Sequence, residues 1–229
     1  MKTIKTHHIL KAFFVFFILI ASLQSCNKDD APVVEAPVLS ITPNLSASYF
    51  QQGESPLPEV QWNGDRGKFG LENTIQGLSI DSETGELSWD PSLPIGVHTV
   101  ILFAYNEAGK DLASLTINNP FQGTFKGTYL PSTSFSNILN RTMEINFIID
   151  GTLSGYTQTE LDDGTILEPN YFSGNYVLLD TKMEGTFEYE DGESTYPFDA
   201  DLDQQGKLTG QYSAEFLTVT FELNVLIQQ

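Results

Sequence analysis

The side chains that carry most enzyme chemistry are scarce in this chain. Its 229 residues include one cysteine, Cys26, and three histidines, His7, His8 and His98. No serine lies in a Gly-x-Ser-x-Gly elbow, and this inventory cannot supply a His/Cys zinc site. We therefore expect a protein that is not an enzyme, with no catalytic residue, no metal and no cofactor. A catalytic pair of carboxylates stays an open alternative. The 30 acidic residues guarantee that some carboxylates lie close together, but their spacing in the sequence does not locate such a pair.

Cys26 stands at the end of an apolar N-terminal segment. Three lysines precede an apolar run over residues 12–21, and small residues follow it. This order predicts a secretory signal peptide over residues 1–25, and the run is short for a membrane span. Cleavage would leave Cys26 as the first residue of the processed chain, without a second cysteine for a disulfide. The alternative is an ordinary free thiol near a conventional signal peptide.

The residues around the cysteine are similar to known export signals. Leu23-Gln24-Ser25-Cys26 resembles a bacterial lipoprotein signal, although Gln24 replaces the small residue usually found there. The resemblance implies that Cys26 carries the lipid, palmitate included, that anchors the protein in the outer membrane. The next residues, Asn27, Lys28, Asp29 and Asp30, resemble the acidic tag of surface lipoproteins in Bacteroidetes-type bacteria. That implies that the protein faces the extracellular side of the outer membrane, with the periplasmic face as the alternative location. Alternatively, these four residues are only the soluble start of a tether.

The net charge limits the partners that the protein can bind, and two prolines indicate how it is tethered. The formal net charge is −19, and removal of the signal lysines would make it more negative. Nucleic acid is therefore excluded as a partner, because phosphate contacts need Lys and Arg. Residues 26–37 form the lipidated anchor and a tether, in which Pro32 and Pro37 favour an extended spacer.

Residues 38–118 predict a first β domain. The alternating residues of 77–80 and 87–89 flank a turn that contains Gly85, which indicates a hairpin. Several such short strands with polar turns predict a β-sandwich. The segment is similar to immunoglobulin-like, cadherin-like repeats of bacterial surface proteins, which implies a spacer or recognition module. The similarity is carried by Gly77–Asp81, Thr84–Leu87, Leu93–Gly96 and Ala104–Gly109.

Two tryptophans in this domain are candidates for ligand stacking. Trp89 alternates with the hairpin's apolar residues, so core packing is the better prediction. Trp62 stands at the entry to a glycine-rich polar loop, where exposed aromatic residues often serve recognition. Trp62 is therefore predicted either to bind a ligand or to pack in the core.

Residues 119–229 predict a second, all-β domain. Apolar and polar residues alternate in about eight stretches separated by short turns with glycine, which predicts an antiparallel meander. Such a meander closes most economically into an up-and-down barrel, because closure removes its edges. The steps Gly127-Thr128-Tyr129, Gly155-Tyr156, Gly174-Asn175-Tyr176 and Gly210-Gln211-Tyr212 resemble lipocalin-like and avidin-like barrels. The predicted fold class is thus all-β, with a sandwich followed by a barrel.

The barrel tyrosines are the predicted ligand-binding residues. If the barrel is hollow, aromatic side chains would line a pocket for a glycan or other small ligand. The candidates are Trp62 together with Tyr129, Tyr156, Tyr176, Tyr189, Tyr196 and Tyr212. If the barrel is solid, the alternative is a structural or adhesion component that binds another protein. The acidic run Asp199–Asp203 lacks the glycine and glutamate of a calcium loop, so a solvated strand is the better prediction.

Overall fold

The computed structural model describes residues 34–133, 137–192, 194–214 and 217–227, and these contain strands and no helix. In chain order the first nine strands are β1 (Val38–Ser40), β2 (Asn44–Ser46), β3 (Gly53–Glu54), β4 (Glu59–Gln61), β5 (Lys68–Leu71), β6 (Leu78–Ile80), β7 (Leu87–Trp89), β8 (Gly96–Asn106) and β9 (Gly109–Asn119). They are followed by β10 (Gly123–Pro131), β11 (Ile138–Phe147), β12 (Thr152–Leu161), β13 (Asn170–Leu179), β14 (Lys182–Tyr189), β15 (Thr195–Leu202), β16 (Lys207–Ala214) and β17 (Leu217–Val225). The described residues thus include no helix long and apolar enough to cross a membrane.

The first domain is a sandwich of small sheets. One sheet has the order β2-β9-β8-β5, a second has the order β3-β7-β6, and β1 pairs with β4. The predicted hairpin joins β6 to β7, and Gly85 adopts a φ of +77° in its turn. Leu87, Val100, Leu102 and Ile117 are almost completely buried between the sheets. Burial of alternate residues on both sheets holds this domain together without a disulfide.

The second domain is a closed antiparallel barrel of eight strands, β10 to β17 in sequence order. The first and last strands close it, with Phe125 opposite Val225 and Pro131 opposite Val219. Closure leaves no free sheet edge, so every barrel strand has two hydrogen-bonded neighbours. The all-β class and the closed barrel of eight strands confirm the fold predicted from the sequence.

The middle of the barrel is filled with side chains. Phe125, Phe147, Phe172, Phe187 and Phe221 all point inward and are at most 2% exposed. Their rings pack edge to face or tilted, for example Phe125 on Phe147 at 5.5 Å between centroids and Phe172 on Phe187 at 4.7 Å. Such packing stabilises the core beyond the burial of apolar area. The barrel centre is therefore a solid hydrophobic core.

Glycines on the inner face make room for these rings. A Cβ added to Gly185 would lie 2.4 Å from the Phe198 ring and 2.4 Å from the Asn175 carbonyl oxygen. A Cβ on Gly127 would lie 1.9 Å from the Glu222 carbonyl oxygen on the neighbouring strand. Small barrels bend their strands strongly, and glycine permits both the bend and the close approach.

The two domains meet at one end of the barrel. Tyr49, from the connection between β2 and β3, is buried in the same cluster as the barrel core. Its ring lies 5.1 Å from that of Phe121 and 6.3 Å from that of Phe125. The first domain therefore closes this end of the barrel, which we call the proximal end, with an aromatic side chain.

Candidate functional site

The structure separates the predicted tyrosines into three locations. Tyr129, Tyr189 and Tyr212 meet inside the end of the barrel away from Tyr49, which we call the distal end. Tyr176 lies inside the proximal end, and Tyr156 lies on the outer face. Because side chains alternate along a strand, parity within each strand decides between inside and outside. Tyr196 also lies at the distal end, so the six predicted tyrosines do not line one common pocket.

Tyr176 helps to close the proximal end. Its hydroxyl donates a hydrogen bond to the Ile148 carbonyl oxygen at 2.8 Å, and its ring lies 4.9 Å from that of Phe147. Burial raises the pKa of its hydroxyl, and the nearby charge of Asp150 adds to the increase. These contacts give Tyr176 a packing role at the joint between the domains.

Tyr156 belongs to a polar cluster on the outside of the barrel. Its hydroxyl donates to the Glu144 carboxylate at 3.0 Å and accepts from the Lys126 ammonium at 3.1 Å. Lys126 and Glu144 are also 3.0 Å apart, and the hydrogen bonds to Tyr156 and Glu144 raise the pKa of Lys126. Tyr156 is thus already engaged and faces away from the interior.

Trp62 packs within the first domain. Its indole meets the Phe69 ring edge to face at 5.4 Å, and it borders the sandwich core while partly exposed. Its backbone carbonyl accepts a hydrogen bond from the Asn106 side chain at 2.9 Å. Trp89 is 7% exposed, which confirms the core packing predicted for it.

Four tyrosines gather at the distal end, and we call this group the tyrosine mouth: Tyr129, Tyr189, Tyr196 and Tyr212. The hydroxyls of Tyr189 and Tyr212 are 3.3 Å apart, and Thr157 donates to the Tyr189 hydroxyl at 3.3 Å. The Tyr196 ring lies 5.5 Å from that of Tyr189 and 6.2 Å from that of Tyr212. The mouth therefore combines aromatic faces with a network of hydroxyl groups above the phenylalanine core.

Burial favours the protonated hydroxyls of Tyr189 and Tyr212. It raises the pKa of Tyr212 far above the ordinary value of 10.0, and the proximity of Tyr189 adds to the increase. Burial also raises the pKa of Tyr189, while hydrogen bonds with Thr157 and Tyr212 offset part of the increase. The hydroxyls of Tyr189 and Tyr212 can therefore donate as well as accept hydrogen bonds at neutral and mildly alkaline pH.

An arginine that was not among the predicted site residues also faces the interior at this end. Arg141 shares the parity of Met143 and Ile145 on β11, both of which are buried in the barrel core. It is paired with Thr159 on β12, and the Thr159 hydroxyl lies 3.2 Å from that of Tyr129. The alternation in β11 could have identified Arg141 from the sequence, because Arg141 stands two residues before Met143, at a position where the pattern predicts an inward-facing side chain.

A separate cleft lies between the domains at the proximal end. It has a volume of about 400 Å³ and is bordered by Tyr49 and Phe50, by Pro91–Ile95 of the first domain, and by Leu202–Gln204 of the barrel. Asp203 is engaged in a turn, where its carboxylate accepts from the backbone amides of Gln205 and Lys207 at 2.8 Å each. The polar side chains of Gln76, Asp180 and Thr181 also line the cleft.

The described ranges contain no group of three or more His, Cys, Asp or Glu residues placed to hold a metal ion. His98 lies on β8, and its Nε2 donates to the Pro94 carbonyl oxygen at 2.6 Å. The predicted lipidation site Cys26 and the export residues Asn27, Lys28, Asp29 and Asp30 lie outside the described residues.

No protein-family model matches the chain, and no curated protein matches it. The fold alone therefore defines the class: an all-β protein whose closed barrel of eight antiparallel strands is consistent with a lipocalin-like domain.

Proposed function

We propose that this protein is a lipid-anchored, surface-exposed recognition lipoprotein without catalytic activity, whose barrel binds a glycan or another small polar ligand at the tyrosine mouth. One observation carries the binding site: aromatic rings and protonated hydroxyls converge at the distal end, above a core that is otherwise filled. Aromatic faces and paired donors and acceptors suit a sugar, whose ring has apolar faces and hydroxyl edges.

The filled core changes where the ligand would bind. Phenylalanine rings occupy the barrel centre, so a ligand deep inside the barrel would have to displace core side chains. A ligand at the mouth would meet Tyr129, Tyr189 and Tyr212 without disturbing that core. The immunoglobulin-like module and the tether would then present the distal end away from the membrane, since Tyr49 of the first domain covers the proximal end.

Binding is tested with a soluble protein of residues 27–229 on a glycan array, followed by calorimetric titration of any glycan that binds. Tyr189→Phe removes one hydroxyl from the mouth, and we expect a loss of affinity of about 3- to 10-fold, the range for one neutral hydrogen bond. Tyr156→Phe is the matched control, because it removes a tyrosine hydroxyl from the outer face and should leave affinity unchanged. Absence of any binding glycan, or equal losses in both variants, would exclude the tyrosine mouth as the site.

Anchoring and display are tested on intact cells. We expect Cys26 to incorporate a clickable palmitate analogue, and Cys26→Ser to lose both the label and membrane association. Protease added to intact cells should degrade the protein if it faces outward. Survival of the protein on intact cells, with cleavage after lysis, would instead place it on the periplasmic face.

A second candidate function is a structural or adhesion component that binds another protein. The solid barrel favours it, as does a strip on the outside of β13 that includes three exposed apolar side chains: Tyr171, Val177 and Leu179 are 50%, 59% and 68% exposed. Surface cross-linking on cells should then give a partner band that Val177→Lys abolishes. Thr186→Lys on neighbouring β14 is the control for added charge, and the same band in both variants would dismiss the strip as the contact.

A further inference from the structure

Arg141 is unusual in its position. Among the inward-facing positions of the described barrel strands, it is the one charged side chain, and the others are apolar residues, glycine, tyrosine, threonine and asparagine. The chain has 11 basic residues against 30 acidic ones, and the other basic barrel residues, Lys126, Lys182 and Lys207, form ion pairs with acidic residues on the outer face. A basic residue directed into the barrel of so acidic a protein therefore requires its own explanation.

The guanidinium of Arg141 lacks a partner in the part of the chain that the structure describes. Its Nη2 atom is buried and makes no hydrogen bond, and none of the ion pairs found there includes it. Glu144, three residues along the same strand, has the opposite parity and pairs with Lys126 outside the barrel. An unpaired buried donor is costly, and a charged donor more so, because desolvation is not compensated.

The neighbours of Arg141 belong to the tyrosine mouth. Thr159 is its direct partner across the β11–β12 ladder, and the hydrogen bond between the hydroxyls of Tyr129 on β10 and Thr159 spans β11 near Arg141. Thr157, the next inward residue on β12, connects this side to Tyr189 and then to Tyr212. The backbone register thus places Arg141 beside the residues of the hydroxyl network. No carboxylate lies within ion-pair distance of it among the described side chains.

We propose that the ligand of the tyrosine mouth is a sugar with a single negative charge, a carboxylate or a sulfate ester, which pairs with Arg141. The guanidinium fork matches the two oxygens of such a group and supplies two parallel hydrogen bonds. One cation balances one negative charge, whereas a doubly charged phosphate ester would leave an excess negative charge within an already acidic protein. The tyrosine hydroxyls bind the sugar hydroxyls. This inference rests on the proposed function, because it names the ligand class of the same site.

The test compares matched glycans that differ only in charge: oligomers of glucuronic or galacturonic acid, sulfated oligosaccharides, phosphorylated sugars and their neutral counterparts. We expect the soluble protein of residues 27–229 to bind a carboxylated or sulfated member at least about 10-fold more tightly than its neutral counterpart. Arg141→Gln should abolish that preference, and Arg141→Lys, which keeps the charge but loses the fork, should reduce it. Lys126→Gln is the matched control, since it removes a basic charge from the outer face and should keep the preference.

The outcomes distinguish this inference from the proposed function. If neutral glycans bind as tightly as acidic ones, or if Arg141→Gln keeps the preference, the tyrosine mouth remains a glycan site and the charge pairing is wrong. If phosphorylated sugars bind most tightly, the single-charge argument is wrong. If no glycan binds, both proposals fail. Thermal unfolding of the unsubstituted protein provides a readout that does not depend on variant folding: at equal concentration, the acidic glycan should raise the midpoint more than its neutral counterpart does.

Discussion

Single residues in the barrel show how closely the interior is packed. Gly185 leaves room for the Phe198 ring, which a Cβ would approach to 2.4 Å. Neither the ring nor the Asn175 carbonyl on the adjoining strand can move freely, because both belong to the packed barrel. The identity of this residue is therefore set by its neighbours across the sheet.

We expect Gly185→Ala to lower the free energy of unfolding by about 1–3 kcal/mol, the range for overpacking a core. Gly192→Ala is the control, since the nearest atom to its added Cβ is 3.7 Å away. Urea unfolding followed by tryptophan and tyrosine fluorescence measures both. Equal stability of Gly185→Ala and the unsubstituted protein would mean that the neighbouring strand and the Phe198 ring move to accommodate the added methyl group.

Buried tyrosines make stability depend on alkaline pH. Burial raises the pKa of Tyr49, Tyr189 and Tyr212 above the ordinary value of 10.0. Below pH 10 both folded and unfolded chains keep these protons, so the full stability is present. Above it the unfolded chain releases protons that the folded chain retains, and stability falls by up to about 1.4 kcal/mol per pH unit for each such group. Tyr212→Phe should therefore show a smaller loss between pH 9 and 11 in urea titrations, and an unchanged loss would contradict this account.

At the scale of elements, the connection between β2 and β3 does more than join two strands. It places Tyr49 on Phe121 and Phe125, with Phe50 in a left-handed conformation at a φ of +57°. A residue other than glycine in this conformation carries a cost of about 1–2 kcal/mol, which surrounding contacts must offset. The aromatic contacts at the proximal end supply that compensation.

We expect Tyr49→Ala to destabilise the barrel by about 3 kcal/mol, as for other large aromatic truncations in cores. Tyr105→Ala is the control, because Tyr105 is a tyrosine of the same domain that is 43% exposed. Hydrogen exchange at the amides of β10 and β17 should accelerate in Tyr49→Ala and not in Tyr105→Ala. Unchanged exchange would mean that the barrel holds its proximal end without the first domain.

At the scale of the whole molecule, two hydrophobic cores are joined by one aromatic contact region. The sandwich core includes Leu102 and Ile117, and the barrel core includes Tyr49 together with the barrel phenylalanines. Each core is contiguous within itself, so local opening should follow this division.

We expect Leu102→Ala to accelerate hydrogen exchange in β5, β8 and β9 much more than in β13 and β14. Phe187→Ala should have the opposite distribution, since Phe187 lies in the barrel core. Exchange mapped by mass spectrometry of peptides would measure both. Uniform acceleration across the chain in both variants would indicate one cooperative unit in place of two.

Much of the fold follows from local patterns in the sequence. Alternation marks Met143, Ile145 and Phe147 as one face of a strand, and glycine marks turns such as the one at Gly85. Eight such strands joined by short turns leave few arrangements other than a closed antiparallel barrel. The same alternation also places Arg141 inside the barrel. It was not predicted as an inward-facing residue because inward positions are recognised by their apolar side chains.

The location of each tyrosine could not be read from residue type. Tyr129, Tyr156 and Tyr176 each follow a glycine step, yet one lies in the distal mouth, one outside and one at the proximal end. Strand register decides this, because a shift of one residue moves every side chain to the other face. Whether the barrel is hollow is likewise a matter of packing between distant strands.

The sequence by itself determined the all-β class and the strongly negative net charge, because these depend on local alternation and composition. The lipoprotein signal at Cys26 and the lack of enzymatic activity stay predictions from short motifs and composition. Only the tertiary structure decided that the barrel is filled, that Tyr49 closes its proximal end, and that Arg141 adjoins the tyrosine mouth. These depend on contacts between residues far apart in the chain, which no local pattern encodes.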